Sequence, residues 1–467
     1  MTGRTVAIVL AAGTGSRFGG GKLLAPLQGK PLLQHVLDRV AGAGVGEAVV
    51  VLGNDADAVE ATIAWRAERR VRNPKPERGL ASSLQVGMAA IDPDVDAVLI
   101  LLGDQPLVAT ATIRALLELK RDRARPIVVP AYGDAGGRNP VLLRRAAFAL
   151  ADGATGDHGL GPVLAAHPEM VVEVPVSGAN PDVDTPEDLA RAVGESWAAR
   201  VRANREQVER IREIPDGADF YAPVQSLFRS DPTRTGDPVL VALLDLIRPG
   251  ETWLDVGAGA GRFALPIARA LDPSGGIVLA LDSSPSMLEG LCEIAEDYAI
   301  ENVRTIEAHW PVPDPATVES DVALIAHVGY DIEAIGAFVD GLESAARRAC
   351  VAVLMDRVPA SAADPFWPLV HGEARVPLPA LPDFVELLRA RGRAPSLVHV
   401  VVEPRHFESR DMLEGFIRRQ LWIDPSGPKE PRFQAALDEL TVADAGGWSI
   451  QARIANDVGI VTWSPPG

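Results

Sequence analysis

An alternation of short β-branched runs with longer amphipathic stretches, played out twice along the chain, most constrains what this sequence can fold into. In the first half, residues 6–10, 48–52, 97–102 and 127–130 read as strands, and residues 32–41, 56–69, 82–90 and 111–121 as helices between them. A second series follows, with strand-like runs at 252–256, 277–281, 303–307, 322–326 and 350–355. Strands that alternate with helices predict mostly parallel sheets covered on both faces. The fold class expected is therefore α/β, with two doubly wound, Rossmann-like, three-layer domains. At 467 residues the chain is also too long for one core, which stops growing near ~250–300 residues.

The break between the series falls after Asp182-Val183-Asp184-Thr185-Pro186, where Thr185 is placed to cap a helix and Pro186 to open it. The boundaries predicted are a first domain over 1–195, a helical linker over 196–235 and a second domain over 236–467. Residues 197–213 are dense in Arg and Glu, which reads as an exposed connecting helix with its arginines on a solvated face, ending at the turn Pro215-Asp216-Gly217. Proline-rich residues 363–382 read as a lid or an insertion on the substrate side of the second domain.

A net charge of −18 argues against a nucleic-acid partner, since phosphate neutralisation needs a basic surface. The two cysteines, Cys292 and Cys350, have no metal or disulfide spacing and are expected as core thiols. Residues 1–5 run into a strand pattern with no secretory signature, and apolar runs such as 97–102 fall short of the ~20 residues of a membrane helix. The expectation is a cytoplasmic enzyme with small-molecule substrates and no membrane partner; the oligomeric state is not legible.

Two loops carry the chemistry. The first, Leu10-Ala11-Ala12-Gly13-Thr14-Gly15-Ser16-Arg17-Phe18-Gly19-Gly20-Gly21-Lys22, sets five glycines around one Arg and one Lys. Glycines let backbone N–H groups approach phosphate oxygens, and the cations offset triphosphate charge. Neither common phosphate loop fits. A P-loop would need glycine at Ser16 and Ser or Thr at Leu23, and a dinucleotide fingerprint from Gly13 would need glycine at Phe18. Taken alone, such a loop is also an ordinary turn.

The arrangement resembles the molybdenum cofactor guanylyl- and cytidylyltransferases, of the MobA-like nucleotidyltransferases, with one extra glycine before Lys22. The resemblance extends through Asn73-Pro74, the segment Gly79 to Leu84, Gly103-Asp104-Gln105-Pro106, Asn139-Pro140-Val141 and Asp182 to Pro186. It implies Mg²⁺-dependent transfer of a nucleotidyl group to a phosphorylated acceptor of the molybdopterin type. Arg17, Lys22 and Asp104 would be catalytic, and Leu10, Ala11, Ala12, Gly13, Gly79 and Ser83 would bind the nucleotide. Asp104 with Asp182 or Asp184 would hold the metal. Leu-Ala-Ala-Gly with Ser83 favours CTP over another NTP. Gly137-Arg138 stands where the family commonly has Arg-Gly, a departure that bears on acceptor recognition.

The second loop, Asp255-Val256-Gly257-Ala258-Gly259-Ala260-Gly261-Arg262, resembles motif I of class I methyltransferases, since a dinucleotide fingerprint would need glycine at Arg262. The resemblance implies S-adenosylmethionine bound at Asp255, Gly257, Gly259 and Gly261. Asp282 would take the ribose, Ser283 and Met287 would flank it, and His309 and Trp310 would stand where the adenine ring is held. Trp310 reads equally as core packing. His327, beside the fourth strand, reads as a general base or as a structural residue. Three function classes stay open: a bifunctional transferase, a nucleotidyltransferase with a non-catalytic S-adenosylmethionine-binding module, and a nucleotide-sensing regulator with inert sites.

Overall fold

The computed structural model describes residues 4–13, 15–119, 125–133, 137–215, 229–403, 406–444, 446–451 and 456–466. The chain divides into two compact units, Met1–Val193 and Gly194–Gly467.

The first unit is built on a seven-stranded sheet in the order Arg69–Arg72, Ala48–Leu52, Thr5–Ala11, Ala97–Leu102, Val141–Arg144, Ile127–Ala131, Val171–Pro175. All pairings are parallel except those of Val141–Arg144, which runs antiparallel to both neighbours. Successive residues of the central strand serve opposite cores, as the two-residue period of a strand requires. Ala7, Val9 and Ala11 join one apolar cluster with Leu33, Val36 and Leu37 of the helix Leu32–Gly42. Val6, Ile8 and Leu10 join another with Ala81 and Leu84 of the helix Leu80–Ala89. The sheet is thus covered on both faces. Its connections reverse direction at Thr5–Ala11, which pairs with Ala48–Leu52 on one side and Ala97–Leu102 on the other. Open α/β sheets bind ligands at such a switch point.

Two expectations change here. The helix expected over 56–69 stops at Thr62, and Arg69–Arg72 instead forms the edge strand. The strands Val141–Arg144 and Val171–Pro175 are short or half-exposed, without the continuous apolar run that marks a buried strand.

The second unit has its own seven-stranded sheet: Val303–Glu307, Ile277–Asp282, Thr252–Val256, Ser320–Ala326, Ala346–Met355, Asn456–Trp463, Ser396–Val402. Five strands are parallel, and Asn456–Trp463 runs antiparallel between Ala346–Met355 and Ser396–Val402. The switch point again flanks the first strand, Thr252–Val256.

The helix that begins at Pro186 does so as the sequence predicts. Thr185 Oγ1 accepts from Asp188 N–H at 3.2 Å while the Asp188 carboxylate accepts from Thr185 N–H at 2.9 Å, a reciprocal cap. It then continues to Ile211 without a break. Beyond residue 194 it is not the exposed connector its composition suggests. Trp197 and Val201 are buried, and so are Asn204 and Gln207, whose amides donate to the carbonyls of Val376 and Ala374. Arg200 pairs with Asp383, and Arg202 and Arg205 share Glu333, so these cations are engaged within the second unit rather than simply solvated. Asp216 and Gly217 of the expected turn lie outside the described residues.

The proline-rich stretch contributes Phe366, Trp367 and Val370 to a separate apolar cluster with Leu413, Ile417 and Phe433 of the helices Arg410–Gln420 and Glu430–Leu440. Cys350 is buried in its strand as expected, but Cys292 is exposed on the outer face of the helix Pro285–Asp297. Among the described residues no helix is long and apolar enough to cross a membrane.

Candidate functional site

The first site is assembled by the ends of the two central strands of the first unit. Thr5–Ala11 delivers the loop that leads to Lys22, and Ala97–Leu102 delivers Gly103 and Asp104. Backbone proximity sets the geometry. Gly103 N–H donates to Leu10 O at 2.9 Å, and a Cβ on Gly53 would lie 2.6 Å from Ala12 O, so only glycine lets the neighbouring loop pass beneath. Val183 N–H donates to Asp104 O at 3.0 Å, which brings Asp182 and Asp184 alongside Asp104.

These elements enclose a cavity of about 360 Å³ lined by Leu10, Ala12, Gly13, Arg17, Lys22, Gly79, Ser83, Asp104, Asp182 and Asp184. Of the residues expected in the first site, Ala11 is not in the lining; it is buried in the sheet. Thr14 lies outside the described residues.

Within the cavity, both cations stand together with Asp104, Asp182 and Asp184. Lys22 Nζ is 2.5 Å from Asp104 Oδ2 and 3.0 Å from Asp184 Oδ1, and Arg17 Nη1 lies 3.6 Å from Asp184 Oδ2. Burial opposes the Lys22 charge, yet the two carboxylates outweigh it and hold the ammonium above its ordinary pKa. Burial pushes the Asp182 carboxyl up, helped by repulsion from Asp104, although Gln105 Nε2 donates to it at 2.8 Å. Arg17 is largely exposed and therefore able to move onto a ligand.

Among the described residues no group of three or more His, Cys, Asp or Glu side chains forms a ready-made metal cage. The donor set nevertheless suits Mg²⁺, which binds through one or two carboxylates and takes its remaining ligands from water and substrate phosphates. Lys22 lies against two of those carboxylates and balances part of their charge.

Ser83 of the lining is held by Asn73, which donates from Nδ2 to Ser82 Oγ at 2.8 Å and Ser83 Oγ at 3.0 Å and fixes both hydroxyls at the start of the helix Leu80–Ala89. Pro76, Glu77, Leu80, Leu102 and Asp157 also belong to the lining and were not anticipated. For Asp157 the available signal was the glycine-bracketed Gly156-Asp157-His158-Gly159. At the departure from the family pattern, Arg138 pairs with Glu173 at 3.3 Å, and Asn139 O accepts from Tyr132 Oη at 2.9 Å.

In the second unit, Gly257 N–H and Ala258 N–H donate to Leu281 O at 2.7 and 3.0 Å, locking the glycine loop onto the adjacent strand. Gly257 has φ +74°, and a Cβ there would lie 2.5 Å from Val328 Cγ2. The Asp282 carboxylate accepts from Gly259 N–H at 2.8 Å and Ser284 N–H at 2.9 Å. Ser284 also caps the following helix by accepting from Met287 N–H at 3.3 Å. Asp255 is buried, with Oδ1 unpartnered, and burial followed by repulsion from Asp282 pushes its carboxyl up to about 7.

Asp255, Gly257, Gly259, Gly261, Asp282 and Met287 thus sit in or around one loop, with Ser283 exposed at its edge. The chemistry of this set, a buried carboxyl with one unpartnered oxygen beside a glycine loop and an acceptor carboxylate at the next strand end, fits the expected cofactor. Trp310 has partners outside this loop. Its indole N–H donates to Phe338 O at 3.1 Å, and its half-buried ring packs on Phe338 and Gly341 of the helix Ile335–Ala345. His309 is exposed. His327 holds φ +58°, and burial, reinforced by Arg262, depresses its imidazole to about 4, which disfavours the protonated form a general base must reach.

Residues 7–171 match the family described as MobA-like NTP transferase domain. A bifunctional protein GlmU of Exiguobacterium is 34% identical over 131 residues, 27% of this chain and 29% of that protein. Another GlmU, from Sphingopyxis alaskensis, is 38% identical over 135 residues, 28% of this chain and 30% of that protein. The chain therefore spans about three tenths of the length of these relatives. Among solved structures, Rv0371c from Mycobacterium tuberculosis is 32% identical, covering 41% of this chain and 98% of its own, with a TM-score of 0.37. Precorrin-6y C5,15-methyltransferase from Geobacter metallireducens is 14% identical, covering 52% of this chain and 95% of its own, with a TM-score of 0.31.

Proposed function

We propose, taking the MobA-like NTP transferase domain over residues 7–171 as the premise, that the first unit transfers CMP from CTP to a phosphorylated acceptor of the molybdopterin type. The observation that carries this reading is the convergence of Lys22, Arg17, Asp104, Asp182 and Asp184 in one cavity whose wall also carries Ala12, Gly79 and Ser83. In the transfer, an acceptor phosphate oxygen bonds to the α-phosphorus, the α–β phosphoanhydride bond breaks and pyrophosphate leaves with the electron pair. Lys22 gives up its carboxylate partners to neutralise charge on the α-phosphate and pyrophosphate, and Arg17 swings from Asp184 onto the β and γ phosphates. Asp104, with Asp182 or Asp184, would hold Mg²⁺, which supplies further charge neutralisation on the phosphates.

The test is label transfer from α-labelled CTP, and in parallel GTP, to a molybdopterin-type acceptor with Mg²⁺. Transfer from GTP but not CTP would sink the cytidylyl assignment. Absence of pyrophosphate release with either would sink the transferase reading. Asp104→Asn is expected to raise the Mg²⁺ concentration needed for half-maximal rate.

The second unit, on this proposal, binds S-adenosylmethionine through Gly257, Gly259, Gly261 and Asp282, the cofactor providing an electrophilic methyl group for an acceptor. A binding module without methyl transfer is favoured by one observation, the half-buried His327 with a depressed pKa and φ +58° where the fourth strand ends. Calorimetry with S-adenosylmethionine decides the matter of binding: no heat from the full chain, or no weakening in Asp282→Ala, overturns this half.

A further inference from the structure

Asp157 stands in the cavity wall outside the groups given a role above. Its position is fixed by backbone. It lies in the 3-10 turn Gly156–His158, and a Cβ on Gly79 would fall 2.7 Å from the Gly156 carbonyl carbon and against the Asp157 carboxylate. On the other side of the turn, a Cβ on Gly159 would fall 2.8 Å from Leu80 Cδ2. Two glycines thus let the turn dock on the start of the helix Leu80–Ala89, whose next turn carries Ser83. Asp157 is exposed to the cavity and, among the described residues, has no hydrogen-bond or ion-pair partner.

Among the described residues no cation of the site partners it. The charges that act on Lys22 are Asp104 and Asp184, and Arg17 pairs with Asp184; Asp157 partners neither. A carboxylate with no cation beside it repels phosphate, so the part of a nucleotide that can face it is uncharged and carries hydrogen-bond donors. Gly79 and Leu80, on which its turn docks, give it backbone and an aliphatic side chain as neighbours, a setting that suits an uncharged base rather than a phosphate. An ionised carboxylate only accepts hydrogen bonds. Cytosine presents an amino donor at the position where uracil presents a carbonyl acceptor.

We propose that Asp157 selects the base, its carboxylate accepting a hydrogen bond from the exocyclic amino group of cytosine and turning away the carbonyl of uracil. The proposal rests on the nucleotidyltransferase reading of the first unit. A site built to satisfy a polar group rejects an analogue that leaves it unpaired or opposed, so discrimination of about tenfold or more is expected.

The experiment is titration of the full chain with CTP and with UTP in the presence of Mg²⁺, for the wild type, Asp157→Asn, Asp157→Ala and Lys22→Ala. The wild type should bind CTP at least about tenfold more tightly than UTP. Asp157→Asn, whose amide both donates and accepts, should bring the two affinities together, and Asp157→Ala should weaken CTP alone. Lys22→Ala should weaken both nucleotides equally. An unchanged CTP to UTP ratio in Asp157→Asn overturns the proposal, as does equal weakening of both nucleotides, which would place the carboxylate on the ribose. Failure of the wild type to bind either nucleotide overturns the nucleotidyltransferase reading itself.

Discussion

At the scale of single residues, the two buried charge centres behave in opposite ways. Lys22 is held charged by two carboxylates, and its loss leaves Asp104 without a cation and Asp184 with Arg17 alone. Lys22→Ala is expected to lower nucleotidyl transfer about a hundredfold, in the range found when one preorganised charge donor is removed, as measured by pyrophosphate release. Asp255 instead resists ionisation. With its pKa raised from 3.8 to about 7, the folded chain holds a proton that the unfolded chain has released between those values. Its contribution to stability is therefore full below pH ~4 and is lost as pH rises through 7. Asp255→Asn should match the wild type in calorimetric Tm at low pH and exceed it at pH 8; a difference that does not change with pH would contradict this. Lys22 and Asp104 were legible in the sequence through the order and spacing of their motifs, each of which taken alone also reads as a turn. Asp157 was not, since a lone acid in a Gly-x-x-Gly turn looks like any surface turn until the fold lays it against Gly79.

At the scale of elements, legibility followed burial. Central strands such as Thr5–Ala11 and Ser320–Ala326 are buried on both faces and read as continuous apolar runs. The edge strand Arg69–Arg72 carries three arginines and no buried residue, so periodicity pointed to helix instead. The antiparallel strand Asn456–Trp463 went unread because its pairing with Ala346–Met355 spans a hundred-odd residues that no local pattern encodes. The start of the helix at Pro186 was legible from its cap. Thr185→Ala removes the hydroxyl that accepts from Asp188 N–H and should cost about 1 kcal/mol, measured by denaturant unfolding. Gly257→Ala should cost more. The new Cβ meets Val328 while the backbone holds φ +74°, so lost S-adenosylmethionine binding accompanied by a lowered Tm is the expected result.

At the scale of the whole molecule, two apolar cores sandwich the sheet of the first unit, and the second unit has core clusters of its own. A ligand that binds only one unit should stabilise that unit by mass action. CTP at about a hundred times its Kd is expected to raise one calorimetric transition by a few degrees; a shift with S-adenosylmethionine in that same transition would contradict the assignment of the two loops to separate sites. The composition of residues 197–213 concealed the role of the long helix, because arginines that pair with Asp383 and Glu333 have the same sequence signature as arginines in water. Its continuity from Pro186 to Ile211 governs how the chain can be dissected. A fragment begun at residue 236 would leave behind Trp197, Val201, Asn204 and Gln207, and with them an open apolar trough and the unmatched carbonyls of Ala374 and Val376. The boundary that respects the packing lies upstream, near residue 194, so that a second half begun there keeps Trp197, Val201, Asn204 and Gln207.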